Sequence, residues 1–191
     1  KTMHRIIPIV SIILTSAALF AQDSLQDILN ERKRPSIHNI YQDISDTNNN
    51  HSSIPISIIQ GKKTGRVFTI ISGVHGFEYP PILATQQLIQ EINPELLSGT
   101  LLIIPLSNPN SFYSRSPFVN PIDHINLNRT FPGKKEGSIT EKIAYFITNT
   151  IIPKSDIFLD IHGGDANEDL LPFVCYYNNE QKALQTQQAT R

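Results

Sequence analysis

The chain has 191 residues, and its 16 Lys and Arg against 17 Asp and Glu give a formal net charge of −1. A charge near zero without a long basic run excludes the electrostatic footprint of a nucleic-acid-binding protein. One Cys excludes an internal disulfide framework and a zinc site built from clustered thiolates. Hydrophobic residues make up 39% of the chain, which is enough for the core of one globular domain.

The first 21 residues have the pattern of a secretory signal peptide. Lys1 and Arg5 precede an apolar run from Ile6 to Phe20, and small Ala21 comes before a polar stretch. The apolar run is shorter than the roughly 20 residues that a membrane-spanning helix needs. We therefore expect cleavage after Ala21 and an exported protein, periplasmic or secreted, without a stable membrane span after cleavage. The alternative is an uncleaved N-terminal anchor.

Residues 22–53 are predicted to be a lead-in and linker, because the polar cluster from Asp46 to Ser53 is typical of a loop or linker. Residues 54–191 then form one catalytic unit in which strands and helices alternate. Runs rich in β-branched residues predict five strands, which are Ile54–Gln60, Val67–Val74, Leu101–Leu106, Ile157–Ile161 and Phe173–Tyr177. Cys175 lies in the last of these runs, so we expect an inert thiol in the core.

Two helices are predicted between the strands. Pro80 and Pro81 can open a helix because the first turn needs no amide donors, and apolar residues recur from Ile82 to Ile92. Ser138 and Glu141 form a capping-box pattern before a second helix that continues to Ile152. This alternation predicts an α/β fold with a mixed, mostly parallel sheet and flanking helices. A loop of about thirty residues, Ser107–Gly137, is longer than a compact domain usually tolerates and indicates function.

Candidate metal ligands follow two of the predicted strands. His75 and Glu78 lie three residues apart in a turn, and His162 comes after the strand Ile157–Ile161. Imidazole nitrogen and carboxylate oxygen both bind Zn²⁺, and three protein ligands leave one position for water. Asp160 could orient the His162 ring by a hydrogen bond. The alternative for each residue alone is structural: a helix-capping Glu and solvated or buried histidines.

The long loop holds Asn108, Asn110, Arg115, Asn128 and Arg129. Arginine binds carboxylates through a bidentate fork, and asparagine offers both a donor and an acceptor. An exposed arginine with loop-capping asparagines is the alternative interpretation. Next to a zinc site, binding of a substrate carboxylate is the favoured one.

Three motifs in this order, GVHGFE at 73–78, NLNRTFPG at 126–133 and DIHGGD at 160–165, resemble the succinylglutamate desuccinylase/aspartoacylase family of zinc hydrolases. That family shares its fold with the zinc carboxypeptidases. The resemblance covers about Val67 to Tyr177 and includes the helix GSITEKIAYF at 137–146. It implies a catalytic domain that is incomplete at its C-terminus.

The resemblance also implies roles for individual residues. His75, Glu78 and His162 match the ligands of one Zn²⁺ ion. Asn128 and Arg129 match the pair that binds the carboxylate of an acyl-amino-acid substrate.

The resemblance is less complete at two further positions. Arg115 resembles the loop arginine that helps to polarise the scissile carbonyl. His124 stands where many relatives have glycine, which predicts left-handed backbone at this position.

The resemblance does not supply a general base. The family's glutamate comes from a strand well downstream of the second metal histidine, whereas only 29 residues follow His162. Glu168 lies in the neighbourhood, but its setting is that of the loop after the metal histidine. We therefore expect the base to be absent from this chain.

Three functions remain open at this point. The first is a zinc-dependent deacylase or amidohydrolase that cleaves the amide or ester bond of an N-acyl amino acid with metal-activated water. The second is an exported zinc carboxypeptidase that acts on peptides or cell-wall peptide. The third is a non-catalytic remnant that binds zinc and carboxylates.

Overall fold

The computed structural model describes residues 25–31 and 34–176. The predicted signal peptide 1–21 and Tyr177 lie outside these residues. Within the described part of the chain, no helix is both long enough and apolar enough to cross a membrane.

Five strands form the sheet: β1 Ser36–Ser45, β2 His51–Gln60, β3 Lys63–Ser72, β4 Ser98–Ile104 and β5 Ile157–Ile161. Their order across the sheet is β1-β2-β4-β3-β5. β1 pairs with β2 and β2 with β4 in antiparallel register, whereas β3 pairs in parallel with both β4 and β5. The mixed α/β sheet is confirmed, and its parallel pairings equal its antiparallel ones in number among the described residues.

Residues 36–45 and 51–53 of the predicted lead-in and linker, 22–53, lie in β-strands. Ser36–Ser45 pairs with β2 along its whole length, from Ser36 opposite Gln60 to Ser45 opposite His51. The strand escapes detection because its exposed and half-buried residues alternate with little apolar content. Only a short turn, held by the Asp46 carboxylate accepting from the backbone N–H groups of Asn48 and Asn50, separates the two strands.

Helices cover both faces of the sheet. α1 Leu25–Leu29 and α4 Ile139–Phe146 pack with Ile54, Ile56 and Leu102 in the larger apolar core. α2 Tyr79–Glu91 contributes Leu88 and Ile89 to a smaller core on Ile59, Leu101 and Ile103. Successive residues of a strand point to opposite faces, so β4 supplies side chains to both cores. Burial of each such isoleucine or leucine stabilises the fold by about 1.5–3 kcal/mol.

The two predicted helices begin where the sequence places them. Pro80 and Pro81 lie in the first turn of α2, which ends at Glu91. α4 begins after Ser138, whose backbone N–H donates to the Glu141 carboxylate at 3.0 Å. Beyond α4 the helical path widens into a π-type turn over Ile147–Ile151 and ends in a 3₁₀ turn, Ile152–Lys154.

The last predicted strand is wrong for its described residues. Residues 173–176 have no regular secondary structure, and Phe173 and Val174 are exposed. A strand needs a neighbour for its backbone hydrogen bonds, and none of the described strands pairs with this run. Cys175 is therefore exposed and not a core residue.

The long loop contains regular turns that its composition obscures. α3 Pro109–Ser114 follows Asn108, whose side chain accepts from the backbone N–H of Ser111. A 3₁₀ turn covers Leu127–Arg129 and is anchored by fully buried Leu127. His124 has a φ of 57°, which confirms the predicted left-handed position.

Candidate metal centre

The sheet brings the two histidines together because they follow neighbouring parallel strands. Ser72 at the end of β3 lies opposite Ile161 at the end of β5. His75 and His162 therefore leave the sheet at the same edge, which is where open α/β sheets place ligands. Their ring centroids are 5.3 Å apart.

Two glycines allow the turn that presents His75 and Glu78. Gly73 has a φ of 64°, a left-handed conformation that is costly for residues with a Cβ atom. A Cβ atom on Gly76 would lie 2.1 Å from the backbone nitrogen of Phe112, so only glycine lets α3 approach the turn this closely. Glu78 is the N-cap residue of α2, where the partial positive charge of the helix end favours a carboxylate.

Asn108, which follows β4 and caps α3, supports the same turn. Its backbone N–H donates to the carbonyl of Gly73 at 2.9 Å, and its side-chain amide donates to the carbonyl of Val74 at 3.4 Å. Its side-chain oxygen accepts from the amide of Asn120 at 3.2 Å. The structure thus gives this fully buried asparagine a structural role.

Glu78 lies between the two histidines. Its Oε1 is 2.7 Å from Nδ1 of His75, and its Oε2 is 3.1 Å from Nδ1 of His162. The backbone N–H of Gly163 also donates to Oε2 at 3.1 Å. Glu78 and His75 are buried, and His162 is half-buried.

The second nitrogen of each ring has its own partner. Nε2 of His162 is 3.1 Å from Oδ2 of Asp160, and Nε2 of His75 is 3.1 Å from Oδ1 of Asn126. These contacts fix the ring orientations and leave both Nδ1 atoms directed at Glu78. Partners of this kind orient metal-ligating histidines in many proteins.

The triad is strongly polarised when no metal is present. Burial alone would raise the pKa of Glu78, but hydrogen bonds from His162 and His75 and from the Gly163 amide lower it to about 2. The hydrogen bond with Asp160, followed by that with Glu78, raises the pKa of His162 to about 10. The metal-free site is therefore an ion pair at neutral pH.

The pKa of His75 is also above its ordinary value. Burial lowers this pKa, but hydrogen bonds with Glu78 and Asn126 outweigh the burial. A metal ion would have to displace protons from these imidazoles before binding.

The residues fit a metal ion in number and in chemistry. One ligand atom from each of His75, Glu78 and His162 lies within 4.8 Å of the others. Two imidazoles and a carboxylate are a known catalytic zinc set that leaves a fourth position open. The ion would take the place of the protons that now join the three side chains.

The predicted carboxylate-binding pair lies one short turn from His75. Oδ1 of Asn126 accepts from the backbone N–H of Asn128 at 2.8 Å while it contacts Nε2 of His75. Asn128 is half-buried, and Arg129 is exposed, with Nη1 donating to the Asn128 carbonyl at 3.1 Å. Asn126 thus joins the triad to the turn that carries both residues, a role that the sequence did not reveal.

Arg115 and Glu168 occupy more peripheral positions. Arg115 ends α3 in a left-handed conformation with a φ of 51°, and its side chain is exposed. Oε2 of Glu168 accepts from the backbone N–H of Asp165 at 3.0 Å. The structure therefore gives Glu168 a turn-stabilising contact. Asp165, the last residue of the third motif, is buried beside the triad.

The mixed sheet and the His–Glu–His triad define an α/β domain with a candidate metal site at one edge of the sheet. Residues 64–191 match the model of the succinylglutamate desuccinylase/aspartoacylase catalytic domain. The chain belongs to this family of deacylase and aspartoacylase-type hydrolases.

Individual relatives support the assignment over part of their length. N-alpha-acetyl-L-2,4-diaminobutyric acid deacetylase of Halomonas elongata is 38% identical over 122 residues, which are 63% of this chain and 35% of the relative. A succinylglutamate desuccinylase/aspartoacylase structure from Rhodobacter sphaeroides has a TM-score of 0.64 at 27% identity. The superposed region is 71% of this chain and 42% of the Rhodobacter chain.

A second structure, the product-bound ectoine utilization protein EutE (DoeB) from Ruegeria pomeroyi, has a TM-score of 0.61 at 30% identity. The superposed region is 69% of this chain and 41% of the Ruegeria chain. The chain therefore spans roughly two fifths of the solved relatives, and about a third of the curated one.

Proposed function

We propose that this chain carries the zinc-binding and carboxylate-binding part of a hydrolase that removes an acyl group from an N-acyl amino acid. The observation that carries the proposal is the triad of His75, Glu78 and His162, whose ligand atoms lie within 4.8 Å of one another. Zinc bound there would lower the pKa of a bound water toward about 7 and would polarise a carbonyl group.

The chain's own residues prepare the site for this chemistry. Asp160 and Asn126 hold the two imidazoles in fixed orientations, each by a contact of 3.1 Å. The Gly163 amide holds one oxygen of Glu78. Preorganised ligands need little rearrangement when a metal or substrate arrives.

Arg129 and Asn128 are proposed to bind the carboxylate of the substrate. The 3₁₀ turn presents an exposed guanidinium beside a half-buried amide, and Asn126 ties this turn to His75. A carboxylate bound here is held at a set distance from the triad, which orients the rest of the substrate. Arg115 is proposed to act on the scissile carbonyl from the neighbouring loop.

We assign no general base among residues 25–31 and 34–176. Glu168 is the nearest sequence candidate, but its carboxylate already accepts from the Asp165 amide in a turn. The proposal for this chain is therefore limited to metal binding, substrate binding and carbonyl polarisation.

The relatives favour an acylated amino acid as substrate. The Halomonas protein is named as a deacetylase of N-acetyl-2,4-diaminobutyric acid, and the family name includes desuccinylase and aspartoacylase. These substrates share an acyl group and an amino-acid carboxylate. Export to the periplasm or medium is part of the proposal and rests on the signal-like segment at residues 1–21.

Zinc binding and hydrolysis test the proposal separately. Purified protein should bind one Zn²⁺ per chain, and His75→Ala and His162→Ala should each reduce the zinc affinity by at least about 100-fold. Thr148→Ala, far along the chain in the π-type turn, is a suitable control. If both histidine variants bind zinc as tightly as the parent, the assignment of the site is wrong.

Substrate class is then tested with the zinc-loaded protein. N-acetyl-2,4-diaminobutyrate, N-acetylaspartate and N-succinylglutamate should bind or be hydrolysed in preference to a C-terminally free peptide. Release of a C-terminal amino acid from the peptide would instead support a carboxypeptidase. Cell fractionation and N-terminal sequencing of the mature protein test export and cleavage after Ala21.

A further inference from the structure

Asp165 is a buried carboxylate to which the proposed function gives no role. Its side chain is 1% exposed, three residues after His162. Oδ2 accepts from the backbone N–H of Phe118 at 2.8 Å, across 47 residues of sequence. Oδ1 is buried and has no hydrogen-bond partner within the described part of the chain. Burial raises the pKa of this carboxyl group. A buried carboxylate oxygen without a hydrogen bond costs free energy of folding, so its presence needs an explanation.

The turn that carries Asp165 is fixed by reciprocal hydrogen bonds. The Asp165 N–H donates to Oε2 of Glu168, and the Glu168 N–H donates back to the Asp165 carbonyl at 3.1 Å. The next residue, Ala166, donates to the carbonyl of Phe77 at 3.4 Å. The carboxylate of Asp165 therefore projects from a turn that is tied to the segment bearing Glu78.

Phe118 is the residue that this carboxylate holds. Its φ is 60°, a left-handed conformation that costs a residue with a side chain about 1–2 kcal/mol. Its ring meets the His75 ring edge to face, with centroids 6.1 Å apart, although 44% of the side chain is exposed. A strained backbone at an exposed position persists only where its surroundings hold it.

Phe118 lies in a segment that follows the predicted carbonyl-polarising residue. Arg115 precedes it by three residues, and Asn120 follows it in a fully buried position. Asn120 is held by Asn108, which fixes one end of the segment. The other end is held by Ser111, whose carbonyl accepts from the Ser116 N–H at 2.9 Å and whose hydroxyl donates to the Ser116 carbonyl at 2.7 Å. The Asp165 contact anchors the middle of the segment, between these two ends.

We propose that Asp165 is a positioning residue: its carboxylate holds the segment from Arg115 to Asn120 against the triad, with Phe118 over His75. This inference rests on the proposed function, because it gives the segment a place beside a ligand-binding metal site. Loss of the carboxylate releases the segment and weakens substrate binding, while the three metal ligands remain in place.

The rate of trypsin cleavage reports how firmly the segment is held, and it needs no ligand. The Arg115–Ser116 bond lies inside the anchored segment, and the bond after Lys135 lies in the same long loop but outside it. Asp165→Ala should accelerate cleavage after Arg115 by about 10-fold and leave cleavage after Lys135 unchanged. Asp165→Asn retains an oxygen that can accept from Phe118 and should cleave like the parent. Asp169→Ala, at an exposed neighbouring carboxylate, is the matched control.

Ligand binding to the zinc-loaded full chain separates positioning from a purely structural role. Asp165→Ala should raise the dissociation constant of N-acetyl-2,4-diaminobutyrate by about 10-fold and change that of zinc by less than about 3-fold. Asp165→Asn should restore ligand binding. These results would support the proposal.

The opposite results would overturn it. Unchanged cleavage after Arg115 in Asp165→Ala means that Asp165 does not hold the segment. Equal acceleration at both bonds means general destabilisation, and faster cleavage after Arg115 with unchanged ligand binding means that the segment has no part in the site. If the parent binds no zinc, the proposed function fails, and the cleavage ratio still decides whether Asp165 anchors the segment.

Discussion

Replacement of Glu78 by glutamine is the sharpest perturbation of the candidate metal centre. Glu78 is 4% exposed, and glutamine has nearly the same volume, so Glu78→Gln removes a charge with little change in packing. One amide oxygen can still accept from the Gly163 N–H. The amide nitrogen that replaces the other carboxylate oxygen is a donor and cannot bind a cation.

The expected loss of zinc affinity follows from the ligand count. Structural zinc sites bind with about 10–16 kcal/mol for four ligands, which is about 2.5–4 kcal/mol for each. Glu78 supplies one of three protein ligands and the only negative charge among them. We therefore expect zinc to bind Glu78→Gln about 100–1000-fold more weakly than the parent.

A competitive titration with a chromophoric chelator measures this difference. Glu95→Gln removes a carboxylate from an exposed pair with Lys62 and should bind zinc like the parent. Circular dichroism establishes that both variants fold. Equal zinc affinity in Glu78→Gln and the parent would refute the assignment of Glu78 as a ligand.

Three further predictions concern proton linkage, ring orientation and backbone strain. Because the pKa of His162 is raised to about 10, its pairing stabilises the metal-free fold fully below about pH 6.5, and this stabilisation is lost as pH rises through 10. Thermal denaturation of the metal-free protein should therefore show falling stability over this window. Zinc affinity should instead rise with pH over the same window, and calorimetry should detect release of at least one proton per bound ion, because the pKa of His75 is raised as well. Asn126→Ala should weaken zinc binding by about 10–100-fold through the lost contact with His75, and a loss below 3-fold in the same chelator titration would contradict this role. His124→Gly should raise the free energy of unfolding by about 0.5–1 kcal/mol, because relief of the left-handed strain exceeds the entropy cost of glycine. Denaturant titration, with Lys135→Gly as the control, measures this change. A lower free energy of unfolding in His124→Gly would contradict the prediction.

The sequence predicted those parts of the molecule in which local pattern and tertiary structure agree. The apolar runs that became β3, β4 and β5 are buried or lie beside buried strands, so their composition alone identifies them. Pro80 and the Ser138–Glu141 pair marked the starts of two helices for local reasons of backbone donors and capping. The triad was predictable because its members follow strands that proved to be parallel neighbours.

The remaining features depend on contacts that no local pattern encodes. β1 is polar and alternating, and it is a strand only because β2 lies beside it. Phe173 and Val174 have strand-forming side chains, yet no described strand pairs with them. Asn126 and Asp165 reach their partners across 51 and 47 residues, so their roles become visible only in three dimensions.

The pairing of β3 with β5 also determines when a metal site can exist during folding. Glu78 and His162 are 84 residues apart in the chain, and bringing such distant points together in an unfolded chain costs about 4 kcal/mol of loop entropy. The two ligands meet where β5 docks on β3. A metal ion that needs all three ligands would therefore bind only molecules in which this long-range pairing has formed.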